Sequence, residues 1–127
     1  MNDSSTKTNA SLHTVIIQTS KMEELATFYG RGLDFGDPIR TGENHLGFPL
    51  PNVYLGFDLV PNPPEPTGVV SIWFEVDLLD DVFHRFKSLG AEIKYPPKVM
   101  PWGATLAALY DPDGNLFGLT QRNPTGK

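Results

Sequence analysis

Polar and aromatic side chains occupy every second position of several apolar, β-rich segments. This spacing brings side chains to one face of a strand. The face so defined carries His13, Tyr54, Asp58, Ser71, Trp73 and Glu75. Aromatic rings beside a few convergent polar groups are typical of a small-molecule cavity, and these six residues are therefore candidate ligand-binding residues.

The two carboxylates of this face allow two kinds of chemistry. As a general base, Glu75 or Asp58 would accept a proton with His13 as its partner, which makes His13 and Glu75 the catalytic candidates. As binding groups, the carboxylates would attract a cation, and Tyr54 and Trp73 would add stacking or cation–π contacts. Alternatively, both carboxylates stand at strand ends and are simply hydrated.

Two further residues have ambiguous positions in the sequence. Trp102, between a proline and a glycine, lies in a loop and is either a lid over the cavity or a core residue. His45 falls in a turn-like stretch and is either a loop residue or part of the cavity rim. We include Trp102 among the candidate ligand-binding residues.

These faces belong to two halves of the chain that look alike. Each half begins with a β-rich run, at 12–18 and 69–76, and continues with a helix, at 22–30 and 80–89. A shift of 58 positions matches the apolar faces of the two helices, placing Leu25 on Phe83, Phe28 on Phe86 and Gly32 on Gly90. Self-similarity of this kind indicates two copies of one supersecondary unit.

Each half then continues with three more strands, predicted at 37–41, 44–48, 53–60, 92–100, 105–110 and 116–121. Pro96 and Pro97 are expected to break the fourth of these, because proline cannot donate to a strand ladder. The residues from Asp111 to Asn115 have the chemistry of a type I turn that closes a hairpin. The pattern predicts an α+β fold built from two βαβββ modules.

The length of 127 residues corresponds to one domain. We predict a disordered tail over 1–10, a single domain over 11–122 and a second tail over 123–127. Within the domain, module one spans 11–60 and module two spans 69–122. The proline-rich segment 61–68 reads as an extended linker between them.

Several features together resemble the vicinal oxygen chelate superfamily. They are the paired βαβββ units, the opening Leu12-His13-Thr14 followed by apolar residues, and Asp111-Pro112-Asp113-Gly114 before the last strand. The superfamily includes glyoxalase I, extradiol dioxygenases and the fosfomycin- and bleomycin-resistance proteins. The resemblance covers about residues 11–122 and implies a curved mixed sheet around a cavity.

In the metalloenzymes of this superfamily, four such positions hold a divalent ion. The matching positions here are His13, Gly56, Ser71 and Gly118. Only His13 carries a good donor, whereas a catalytic site normally needs about three protein ligands. We therefore expect no metal and no other cofactor, and we expect Gly56 and Gly118 to leave room for a ligand instead.

Composition excludes several classes of protein. The absence of cysteine rules out a disulfide framework, a thiolate zinc site, an iron–sulfur cluster and a cysteine nucleophile. The net charge of −5 argues against a nucleic-acid partner. No apolar run is long enough to span a membrane, and the first ten residues lack the apolar core of a signal peptide. We expect a cytoplasmic protein.

The resemblance also implies a homodimer, because the sheets of such modules form a cup only where they meet edge to edge. The favoured function is a metal-free protein of the bleomycin-resistance type that sequesters a small molecule. The alternative is a lyase, isomerase or dioxygenase-type enzyme of the same superfamily. A third possibility is a structural or regulatory module with a vestigial cavity.

Overall fold

The computed structural model describes residues 9–123, and the tails predicted over 1–10 and 123–127 lie largely outside them. The described elements confirm the predicted βαβββ order in each half. They are β1 (Thr14–Thr19), α1 (Met22–Gly32), β2 (Ile39–Arg40), β3 (His45–Pro49), β4 (Tyr54–Leu59), β5 (Ile72–Val76), α2 (Leu79–Ser88), β6 (Glu92–Val99), β7 (Thr105–Tyr110) and β8 (Leu116–Gln121). The fold class is therefore α+β, as expected.

The strands form two separate four-stranded sheets. The first has the order β1-β4-β3-β2, and the second has the equivalent order β5-β8-β7-β6. In each sheet the first strand runs parallel to the last one, and the other neighbours are antiparallel. Within the described part of the chain, β1 and β5 each pair on one side only, so both sheets end on a strand with a free edge.

The two helices pack against each other where a glycine removes a side chain. A Cβ atom at Gly32 in α1 would lie 2.1 Å from Cε1 of Phe86 in α2, so only glycine permits this approach. Phe86 is fully buried, and its ring centroid lies 4.9 Å from that of Phe28. Burial of side chains this large contributes about 2 kcal/mol each to folding.

One hydrophobic core serves both modules. The fully buried Tyr29 of α1 has its ring centroid 5.9 Å from Phe57 in the first sheet, and 5.9 Å and 5.2 Å from Phe74 and Phe117 in the second. Each sheet therefore directs one face into this shared core. The opposite face of each sheet points away from it, and we call these the open faces.

A buried carboxylate ties module two to module one. Asp111 accepts hydrogen bonds from Tyr29 Oη at 2.7 Å, from the backbone N–H groups of Asp113 and Asn115 at 2.9 Å each, and from Asn115 Nδ2 at 2.9 Å. Burial, followed by the charge and hydrogen bond of Asp111, raises the pKa of Tyr29 well above its ordinary value. The predicted turn thus also anchors α1.

The structure corrects the prediction that Pro96 and Pro97 break a strand. β6 continues through both prolines, with register shifts against β7 between Ile93 and Tyr95 and between Tyr95 and Lys98. β6 is the outer strand of its sheet, and both prolines lie within the second register shift, where the regular ladder is interrupted and their missing N–H groups are tolerated. Among the described residues, no helix is long and apolar enough to cross a membrane.

Candidate functional site

The candidate residues on strands come from β1, β4, β5 and β8. In the last three of these, the alternation of side chains places them on the open faces as expected. In β4, Leu55 and Phe57 enter the core, so Tyr54 and Asp58 lie on the other face. In β5, Phe74 and Val76 pack against the core, which leaves Trp73 and Glu75 on the open face. In β8, Phe117 and Leu119 are buried, and Gly118 takes the open side.

The sequence places His13, together with Val15 and Ile17, on the cavity face of β1, and this assignment is wrong. Val15 and Ile17 pack against the core, and Ile16 is 43% exposed on the open face. Parallel pairing places Ile16 beside Gly56, so both belong to the same face. His13 directly precedes the strand and, two residues before Val15, shares its face. Its Nδ1 lies 2.5 Å from Oγ1 of Thr14. His13 is therefore on the opposite side of the first sheet from the open face that carries Tyr54 and Asp58.

A different histidine completes the first open face. His45 of β3 is paired with Asp58 across the β3–β4 ladder, and its Nδ1 lies 2.5 Å from Oδ1 of that carboxylate. The other ring nitrogen, Nε2, lies 2.6 Å from Oη of Tyr54. The imidazole and phenol rings are nearly parallel, at an interplanar angle of 11°. We call Asp58, His45 and Tyr54 the polar chain.

Two glycines make room for the polar chain on the sheet. A Cβ atom at Gly47 would lie 1.9 Å from Oη of Tyr54. A Cβ atom at Gly56 would lie 2.7 Å from Cε1 of His45 and 2.8 Å from Cδ1 of Ile16. Both glycines are paired with each other across β3 and β4, so the rings rest directly on the backbone.

The second open face carries one large ring over a glycine. Trp73 lies on Gly118 of the neighbouring strand, where a Cβ atom would be 2.0 Å from Cε3 of the indole. The indole Nε1–H donates to Oγ of Ser71 at 2.9 Å. Ser71 therefore orients the ring, and 41% of Trp73 stays exposed. Trp73 is therefore an aromatic platform whose indole N–H group already has a hydrogen-bond partner.

The charge of Glu75 is compensated, which changes the electrostatics expected for this face. Arg122, directly after β8, donates from Nε to Glu75 Oε1 at 3.3 Å and from Nη1 to Asp77 Oδ1 at 2.7 Å. These hydrogen bonds raise the pKa of Arg122 above its ordinary value. Lys98 of β6 lies opposite Leu106 and sits 4.4 Å from the centre of the Tyr95 ring. β1, β4, β5 and β8 contain no lysine or arginine, but the segment after β8 and the neighbouring strand β6 supply cationic groups to this region.

Two cavities are each lined by some of the candidate residues. Trp73 and Glu75 line a cavity of about 750 Å³ between the modules, together with Arg122. His13 and Tyr54 line a smaller cavity of about 240 Å³ near the β3–β4 turn. Trp102 lies in the β6–β7 turn and is 71% exposed. Its role as a lid stays a prediction.

The four positions that hold a divalent ion in the metalloenzymes do not fit a metal here. Rings occupy the space over Gly56 and Gly118, and Ser71 is engaged with the indole. His13 belongs to a different face from Gly56. Within residues 9–123, no three histidine, aspartate or glutamate side chains come together in a way that could hold a metal ion. The glycines leave room for aromatic rings, rather than for a ligand as we expected.

The sequence leaves His45 open, as a loop residue or part of the cavity rim, and it does not point to Gly47 or Arg122. His45 and Gly47 are two residues apart in β3 and share a face. The pairing of β3 with β4 places His45 opposite Asp58. The contact between His45 and Asp58 could be predicted only with the register of the β3–β4 hairpin. Arg122 reaches Glu75 only because β5 and β8 are parallel neighbours, a contact that spans 47 residues of sequence.

A family model confirms the assignment made from the repeat. The model of the Glyoxalase/Bleomycin resistance protein/Dioxygenase superfamily matches residues 11–119. The chain therefore belongs to this superfamily. A comparison with curated proteins gives no match.

Solved structures of the same superfamily share the fold. A bleomycin resistance determinant encoded on the transposon Tn5 is 26% identical, with a TM-score of 0.68 over 88% of this chain and 98% of that one. A glyoxalase/bleomycin resistance protein from Albidiferax ferrireducens is 20% identical, with a TM-score of 0.76 over 87% and 98%. A glyoxalase-related enzyme from Fulvimarina pelagi is 18% identical, with a TM-score of 0.75 over 90% and 88%.

Proposed function

We propose that the protein is a metal-free binder that sequesters a small molecule with a planar aromatic part. The observation that carries this proposal is the replacement of two family metal positions by glycines that support rings. Trp73 covers Gly118, while His45 and Tyr54 cover Gly56. Such surfaces offer stacking area and a few fixed polar groups, which is what recognition of a planar ligand requires.

The ligand site is proposed to be complete only in a homodimer. The two open faces belong to separate sheets of one chain, and each sheet ends on a free-edged strand, β1 or β5. Pairing β1 of one subunit with β5 of its partner closes both free edges by one two-fold operation. The polar chain of one subunit would then share a cup with Trp73 of the partner subunit. Trp102 is proposed to cover this cup.

The backbone of β1 provides a sharp test of the dimer. Tyr54 N donates to His13 O and Val60 N donates to Thr19 O, so odd-numbered residues of β1 face β4. The N–H group of Ile16 therefore points to the free edge. Ile16→Pro removes that donor without touching the β1–β4 ladder and should yield a folded monomer. Ile16→Thr, which keeps the donor, should remain dimeric in sedimentation velocity experiments.

Contrary results would count against the dimer. A 14 kDa wild-type monomer at micromolar concentration would exclude it. A dimer that persists in folded Ile16→Pro would exclude pairing through β1. Circular dichroism of the variant establishes that it is folded, so that a monomer is not mistaken for an unfolded chain.

Binding itself is tested with proflavine, a planar aromatic cation, by isothermal titration calorimetry on nucleic-acid-free protein. We expect saturable binding, and Trp73→Ala should weaken it about tenfold, the loss expected from removing one aromatic platform. The matched control is Leu89→Ala, because Leu89 follows α2 directly and its side chain is exposed. Absence of saturable binding would favour a vestigial cavity.

A metal-independent enzyme is the second candidate, and the polar chain is the observation that favours it. A carboxylate that orients a histidine is a common arrangement of a general base. The histidine in this arrangement is His45, not His13 as the sequence suggested. Turnover of a bound compound at protein concentrations far below that of the compound would establish the enzyme, whereas stoichiometric retention would support the binder.

A cytoplasmic location and the absence of nucleic-acid partners also belong to the proposal. The net charge of −5 supports the second point, and the location is the default for a chain without a recognisable signal peptide. Cell fractionation tests the location, and retention on immobilised DNA at physiological salt tests the second point. Binding to DNA at that salt concentration would contradict it.

A further inference from the structure

The polar chain leaves the Tyr54 hydroxyl with a defined direction of hydrogen bonding. An ionised Asp58 accepts hydrogen bonds only, so the 2.5 Å contact with His45 Nδ1 requires a proton on Nδ1. A neutral imidazole carries one proton, and Nε2 is then an acceptor. The 2.6 Å contact with Nε2 therefore uses the single proton of the Tyr54 hydroxyl.

We infer that His45 makes Tyr54 an obligatory hydrogen-bond acceptor, so that this half of the site selects ligands with an N–H or O–H donor. Because the tyrosine proton is held by His45, only lone pairs of Oη remain for a ligand. A ligand that offers only an acceptor would leave two acceptors facing each other, which costs affinity. This inference rests on the proposed binding function and names the chemical class of its ligand.

The position of the polar chain suits recognition more than support of the fold. The side chains of His45 and Asp58 are 23% and 43% exposed, so they reach solvent on the open face. The Tyr54 ring lies over Gly47, the His45 ring lies over Gly56, and neither these rings nor Asp58 belong to the hydrophobic core. His45 is thus a positioning residue, and Tyr54 is the group that would contact the ligand.

The tautomer of His45 is measurable without any ligand. Long-range ¹⁵N–¹H NMR spectra at pH 8 should show His45 as the neutral Nδ1–H tautomer. Asp58→Asn keeps the shape of the carboxylate but offers an amide donor, and it should shift the population towards the Nε2–H tautomer. A wild-type spectrum with the proton on Nε2, or on both nitrogens, would overturn the inference whether or not a ligand is known.

The ligand preference is tested with two planar aromatic cations. Thionine carries primary amines with N–H donors, whereas methylene blue has the same cationic ring system with dimethylated amines and no N–H group. Wild type should bind thionine about fivefold more tightly, a ratio that corresponds to one neutral hydrogen bond. His45→Phe keeps a flat ring over Gly56 but frees the tyrosine proton, and the ratio should fall to about one, because Tyr54 can then donate or accept.

Controls separate this inference from the proposed function. His84→Phe, on the exposed surface of α2, should keep the wild-type ratio. Tyr54→Phe should abolish the ratio, as His45→Phe does. If neither dye binds wild type, the proposed function fails, and the NMR result alone decides the direction of hydrogen bonding. If both dyes bind with equal affinity, or His45→Phe keeps the ratio, the inference fails and the binder stands.

Discussion

Tyr54 in the first sheet and Trp73 in the second each lie on a glycine of a neighbouring strand, but their partners differ. The tyrosine hydroxyl belongs to a chain that runs through His45 to Asp58. The indole N–H is satisfied locally by Ser71, which leaves only ring area for a partner. The same duplicated unit thus supplies directional hydrogen bonding in one half and stacking in the other.

The turns before the last strands of the two modules differ as well. A substitution in the turn of module two should have the largest effect on the free energy of unfolding. The turn of module two holds the buried Asp111, whereas the turn of module one has Pro51 and Asn52. Asp111→Ala leaves the Tyr29 hydroxyl without its buried acceptor and should lower the free energy of unfolding by about 3 kcal/mol. Urea denaturation measures this. Asp37→Ala, at an exposed site, should change it by less than about 0.5 kcal/mol.

The two glycine–ring contacts should respond differently to an added methyl group. Gly118→Ala forces its Cβ into the Trp73 ring and should cost about 2 kcal/mol of stability. Gly47→Ala meets only the hydroxyl end of Tyr54, which can swing away, so we expect about 1 kcal/mol. Thermal unfolding of each variant checks this order. In a Trp73→Ala background, Gly118→Ala should cost almost nothing, and an undiminished cost would contradict the contact.

Stability at high pH tests the tie between the modules. The raised pKa of Tyr29 keeps its proton on the folded chain while the unfolded chain loses it above about pH 10. The unfolded state then binds fewer protons, so the free energy of unfolding falls as pH rises. Between pH 10 and 11, wild type should lose up to about 1.4 kcal/mol more than Tyr29→Phe. Equal losses in urea titrations at these pH values would refute this.

Substitutions of the two carboxylates, which looked equivalent in the sequence, should have the smallest effects. The effect of Asp58→Asn on ligand affinity should exceed that of Glu75→Gln. Asp58→Asn disturbs the polar chain and should weaken proflavine binding about fivefold. Glu75→Gln removes a charge that Arg122 already compensates, so the change should stay below about twofold. Calorimetric titration measures both. A larger effect of Glu75→Gln would show that the second face binds the cation.

The fold was predictable because each module repeats a strong local signal, an apolar strand followed by an amphipathic helix ending at glycine. The phase of β1 was not, because Val15, Ile16 and Ile17 are all apolar and the alternation has no contrast. The polar character of His13 therefore places it, wrongly, on the cavity face. Burial of Val15 and Ile17 under the helices decides the phase, and this is a tertiary effect.

The missing parts of the candidate site depend on strand register. His45 meets Asp58 through the β3–β4 pairing, and Arg122 meets Glu75 through the parallel β5–β8 pairing. Register follows from turn geometry and from the packing of whole strands, which local composition reflects weakly. Tyr54 and Trp73 were found because their strands alternate clearly between apolar and polar residues.

The outer edges of the sheets set a limit on how many copies can join. β2 has only two residues, and β6 carries two prolines and two register shifts, so neither is a good template for another strand. β1 and β5 contain no proline, and their ladders have no register shift, so theirs are the regular edges. Where both of these edges pair with those of one partner, as proposed above, the assembly closes after two subunits. Within residues 9–123 the irregular edges of β2 and β6 then remain, and these do not favour growth of a filament.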